Sequence, residues 1–175
     1  PYGTTAANCG YKEETVRAFG ARLAIGGTRL FKLPIAWDTG LEALTERDRL
    51  REESYVDRRI GDVKVNGDTR VVNLNAFATT VTRLVRKLTL HAGVGLERTH
   101  YDHMDQVGAT RNKLTTTPRA LPYAGLEQVI GNAYRLHLRY AESLSRATVW
   151  EFLGSTGRFN SALRGEHVRE WELGA

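Results

Sequence analysis

Cysteine is nearly absent. Cys9 is the only one, so no intramolecular disulfide can form. Proline is scarce as well, four residues against 17 glycines, a balance that suits a turn-rich β protein better than a disordered chain. No apolar run approaches the ~20 residues of a transmembrane helix, because charged residues make up 26% of the chain and apolar ones 41%. That absence does not exclude a membrane, since transmembrane strands need only ~9–11 residues, half of them apolar. The opening Pro1-Tyr-Gly-Thr-Thr has neither the basic stretch nor the apolar core of a signal peptide, as in a mature or trimmed chain. Charge of one sign is also lacking. Lys and Arg number 25 against 20 Asp and Glu, a net charge of +5 and a pI near 9.6. The cations are dispersed among acids rather than gathered in a patch, so nucleic acid is not expected as a partner. No Gly-rich phosphate loop joins a strand to a helix.

What the chain does have is alternation. In Leu88-Thr-Leu-His-Ala-Gly-Val-Gly-Leu-Glu97, the residues Leu88, Leu90, Ala92, Val94 and Leu96 fall on one side. Thr89, His91, Gly93, Gly95 and Glu97 fall on the other. Period two over this length is a β-strand with one apolar and one polar face. The pattern recurs at Val16–Ile25, Phe31–Leu41, Val71–Val81, Leu121–Ile130, Leu136–Tyr140 and Trp171–Ala175. That makes seven strands. Short connections are expected near 26–28, where Gly26-Gly27-Thr28 reads as a tight turn, and near 83–87 and 131–133. Long polar loops are expected at 1–15, 43–68, 100–118 and 152–160. Pro34 interrupts the second strand at the expense of a ladder hydrogen bond. The fold class is all-β, an antiparallel up-and-down barrel in one domain of 175 residues.

Alternation alone does not say which face is inside. Apolar-in is a soluble, lipocalin-like carrier of an apolar ligand; apolar-out is a transmembrane barrel. Three features favour the membrane. Gly20, Gly93, Gly95, Gly125 and Gly174 all sit on the polar face, where a narrow interior has room for little else. The polar face carries both signs of charge, and enclosed charges must pair. Short turns at one end and long loops at the other are the asymmetry of outer-membrane barrels. The expected lumen charge network is Arg22, Glu97, Glu127, Arg135, His137, Arg139, Glu170 and Glu172. A three-residue turn at Gly131–Ala133 would place Glu127 across from His137. Gln128 and Glu142 fall on the apolar face against this pattern.

The order of segments resembles a known family. Val72-Asn-Leu-Asn-Ala-Phe-Ala, then Leu90-His-Ala-Gly-Val-Gly-Leu-Glu-Arg-Thr-His-Tyr-Asp102, Leu136-His-Leu-Arg-Tyr140 and Trp171-Glu-Leu-Gly-Ala175 are similar to strands of the opacity-protein and OmpA-like surface barrels. The resemblance spans roughly residues 16–175. It implies an eight-stranded barrel with the first strand and the terminal aromatic residue missing, as in a trimmed chain. It implies a monomeric structural or adhesin-like protein in the outer membrane of a Gram-negative bacterium. Such a protein meets outer-membrane lipid, lipopolysaccharide and host receptors or glycans through its loops, with His100, Tyr101 and His103 as loop contacts.

Other chemistry is thin. His100, Asp102, His103 and Asp105 lack the constellation of a zinc site, so no metal is expected. Ser161 and His167 have no spacing that identifies a nucleophile and its base. No enzymatic activity and no cofactor are expected.

Overall fold

The computed structural model describes residues 9–56, 59–131, 133–145, 151 and 165–175. Alternating sequence gives extended chain, and the strands are longer than the alternation alone suggests. They are β1 (Cys9–Gly27), β2 (Ile35–Val56), β3 (Arg59–Val85), β4 (Leu88–Asp105), β5 (Thr110–Thr115), β6 (Arg119–Ile130), β7 (Tyr134–Ser145) and β8 (Glu166–Gly174). All pairings are antiparallel, in the order β1-β2-β3-β4-β6-β7-β8, with β5 folded back on β4. This is an up-and-down sheet. Among the described residues β1 pairs only with β2 and β8 only with β7, so the sheet stays open rather than closing as an eight-stranded barrel.

The register keeps each face of one character. Leu23, Leu41, Ala76, Leu96 and Ala120 form one cross-strand row on the apolar face. That face is open: Leu23 is 71% exposed and Leu173 80%. The polar face is the enclosed one, with Asn73, Thr99, Tyr101 and His103 buried. An apolar-in carrier would show the reverse.

Several local expectations need correction. Gly26 and Gly27 remain in β1, opposite Asp38 and Trp37. The chain reverses further on, where Leu30 and Leu33 exchange backbone hydrogen bonds of 3.1 and 2.9 Å and Phe31 and Lys32 take positive φ of 50° and 70°. Pro34 lies in this connection, so no ladder bond is lost there. The expected loop at 43–68 is instead a hairpin of continuous strand, in which β2 and β3 pair as far as Val56 and Arg59. Cross-strand hydrogen bonds and charge pairs there replace the solvation that a polar loop would rely on. Residues 9–15 belong to β1, and most of 100–118 forms the β4–β5 hairpin. The 152–160 stretch lies outside the described residues. The connections from β3 to β4 and from β6 to β7 are short, as expected.

Candidate functional site

The enclosed face carries two charge groups. In the first, Arg22, Glu42, Asn75, Glu97 and Arg119 share one cross-strand row. Arg22 lies 3.2 Å from Glu42 and 3.8 Å from Asp38, and its guanidinium sits 4.6 Å from the centroid of the Phe77 ring. Asn75 Nδ2 donates to Glu42 Oε2 at 3.0 Å. The second group gathers at the turn. Glu127 faces His137, and Arg135 Nε is 3.3 Å from Glu127. Glu172 receives His137 at 3.2 Å and Arg139 at 3.8 Å. Glu170 lies on the same face opposite Ala141.

Beyond these groups the enclosed face continues into the long arms. Thr69 Oγ1 is 2.8 Å from His103 Nδ1, and Thr99 Oγ1 donates to Asn73 Oδ1 at 3.1 Å. Tyr101 and His103 are each only 3% exposed. They are buried strand residues of β4, not loop contacts, because the ladder extends through them to Asp105. Burial lowers the His103 pKa from its ordinary value and favours the neutral ring. His100 points to the opposite face, where Nδ1 meets Thr115 Oγ1 at 2.7 Å. Strand alternation thus separates His100 and Asp102 from His103 and Asp105. Among the described residues no cluster of His, Cys, Asp and Glu suits a metal ion.

The open face holds a feature that sequence reasoning missed. Directly past the apolar band, Arg17, Arg47, Arg70, Asp102 and Lys113 form one cross-strand row. The neighbouring row holds Arg49, Asp68 and Arg111. Asp68 accepts from Arg47 Nε at 2.8 Å and from Arg49 Nε at 3.1 Å. Asp102 accepts from Arg111 Nε at 2.8 Å, with Lys113 4.0 Å away. The guanidiniums beside Asp68 and Asp102 hold both carboxyls below the usual carboxylate range. A shallow groove of about 680 Å³ runs between these side chains and Phe19. The signal was present in Glu46-Arg-Asp-Arg-Leu-Arg-Glu52, where charge sign itself alternates at period two.

Glu142 also lies on the open face, where Tyr140 Oη donates to it. His167 Nε2 approaches it at 2.7 Å and Arg169 at 3.5 Å. The pair excuses a carboxylate beside an apolar band. Ser161 lies outside the described residues, and His167 is occupied by Glu142.

No protein-family model matches the chain, and no curated protein matches it. Solved structures do. The outer-membrane alcaligin receptor FauA from Bordetella pertussis superposes with a TM-score of 0.60 at 16% identity, covering 94% of this chain and 26% of that one. The unliganded ferric citrate transporter FecA superposes with a TM-score of 0.64 at 12% identity, covering 94% of this chain and 25% of that one. The chain therefore spans about a quarter of the length of these solved chains. At this identity the likeness concerns the fold alone, an antiparallel up-and-down β-sheet like part of a barrel wall. This supports the β-barrel part of the opacity-protein resemblance and not the family itself.

Proposed function

We propose that this chain forms a wall of a receptor- or transporter-type β-barrel in the outer membrane of a Gram-negative bacterium. Its long hairpins would stand on the cell surface and contact ligand. The observation that carries the reading is the open apolar face, bounded at the long-hairpin end by charge. Strands of a membrane barrel tilt by ~35–45°, so a cross-strand row climbs through the bilayer. One such row runs from Trp37, near the short-turn end of β2, to Tyr140 and Trp171. The last two rings lie 4.7 Å apart. Aromatic residues at both ends of a climbing row fit the two interfacial girdles of such a barrel. Among the described residues β1 and β8 have free edges, which favour a wall within a larger barrel over a small adhesin, because an open sheet edge is not tolerated in hydrocarbon.

Site-directed labelling in intact cells tests this. In a Cys9→Ala background, Val107→Cys at the β4–β5 tip should react with a membrane-impermeant maleimide. Arg86→Cys at the opposite turn should react only after permeabilisation. Labelling of both without permeabilisation, or recovery of the chain in the soluble fraction, would overturn the proposal.

A further inference from the structure

Three arginines stand side by side where a folded sheet should avoid them. Arg17 pairs across the ladder with Arg47, and Arg47 with Arg70. Like charges directly opposite on neighbouring strands destabilise a sheet. Asp68, on the diagonal, is already shared by Arg47 and Arg49. Asp102 is engaged by Arg111 and Lys113. Four cations (Arg17, Arg47, Arg70 and Arg111) line the groove with two carboxylates, and Arg49 and Lys113 reach the same carboxylates from beside it.

Position narrows what could balance that excess. The row sits on the open face, the same face as the apolar band. Two residues further along each strand lie Phe19, Thr45 and Val72, which pair across the ladder. On β4 the corresponding residues are His100 and then Asp102. A ligand held here has its anionic part against the guanidiniums and an apolar part running down over Phe19 and Val72. Arginine forks match phosphate bidentately, and the carboxylates hold the Arg47 and Arg111 forks in fixed directions.

We infer that the Arg17–Arg47–Arg70 row is a docking site for the phosphates of a phosphorylated glycolipid of the outer leaflet, the lipid A class. The inference rests on the membrane reading above. The like-charge row is then tolerated because its counter-charges come with the lipid.

Reconstitution of the whole barrel that contains this wall separates the possibilities. Wild type and Arg47→Gln/Arg70→Gln are placed in phosphatidylcholine vesicles, with and without bisphosphorylated lipid A, and the urea midpoint is read from heat-modifiable gel mobility. Lipid A should raise the wild-type midpoint, and the lipid A retained per chain should fall about tenfold in the double Gln variant. Arg47→Lys/Arg70→Lys should fall between them. In phosphatidylcholine alone Arg70→Gln, which breaks no bond to Asp68 or Asp102, should be at least as stable as wild type, since repulsion is relieved; a purely structural row would give the opposite. An equal rise with dephosphorylated lipid A, or in the Gln variant, overturns the inference. An equal rise from inorganic phosphate added to plain vesicles overturns the lipid source. If wild type does not insert into plain vesicles, the membrane reading itself fails and takes this one with it.

Discussion

A Cβ added to Gly93 would lie 2.4 Å from Tyr123 Cε1 and 2.7 Å from the carbonyl of Ala78. The Tyr123 ring therefore takes the space a side chain would occupy, as aromatic residues do over strand glycines. Gly125, on the same face, meets nothing closer than 3.7 Å. Gly93→Val should therefore destabilise by about 1–3 kcal/mol, while Gly125→Ala should leave the urea midpoint nearly unchanged. The carboxylates of the hairpin make a second prediction. Asp68 has a lowered pKa in the fold, set first by Arg47, so its stabilisation is complete above the unfolded value of ~3.9 and is lost as pH falls through the folded value. His103 is lowered by burial; the unfolded chain binds more protons, and stability declines as pH drops below ~6.5. Asp48 is raised by burial beside Glu14 and Glu46 and works against Asp68 in acid. Comparing wild type with Asp68→Asn isolates the first effect. Hydrogen exchange in the β2–β3 arm should show the two converging at low pH, with wild type better protected at neutral pH. Equal protection at pH 7 would remove Asp68 from this role.

At the scale of elements, the connection from β1 to β2 shows how far alternation can be trusted. Gly26-Gly27 is the strongest turn signal in the region, yet the two-residue turn is Phe31–Lys32, both at positive φ. Left-handed backbone costs an ordinary residue ~1–2 kcal/mol, and glycine escapes that cost. Lys32→Gly should therefore stabilise by about 1 kcal/mol, read as a higher urea midpoint; a lower one would mean the Lys32 side chain does more for the turn than its backbone costs. Strand existence and face were legible because Leu88–Glu97 and Leu121–Ile130 alternate in polarity. The register that sets Glu127 against His137 was legible for the same reason, since polarity fixes register when one face must avoid water. The long arms were not. From 43 to 68 polarity stops alternating, because the enclosed face of the arms is itself lined largely with polar groups that bond to one another while the open face carries charge, and only the sign of charge keeps period two. Reading hydrophobicity alone turned that strand into a loop, and with it hid the arginine row and the burial of Tyr101 and His103.

The whole sheet raises a different question: how dry is the face that holds Arg22? In an eight-stranded barrel the interior is just filled by side chains, and removing one partner of an enclosed pair costs about 3–5 kcal/mol. In the sheet of the described residues, open along β1 and β8, the Arg22 side chain is 59% exposed and its partner Glu42 37%. Water reaches both, as it would in the wide lumen of a barrel built from several such arcs. Exposed pairs contribute roughly 0.2–1 kcal/mol. Arg22→Gln should therefore lower the unfolding free energy in vesicles by less than about 1 kcal/mol. Arg22→Leu should differ little from it, because leucine offers apolar surface to the Phe77 ring that the Arg22 guanidinium now covers. A loss several times larger would mean that the polar face closes on itself and excludes water. The small, filled barrel implied by the opacity-protein resemblance would then describe the chain better than a wall of a larger one.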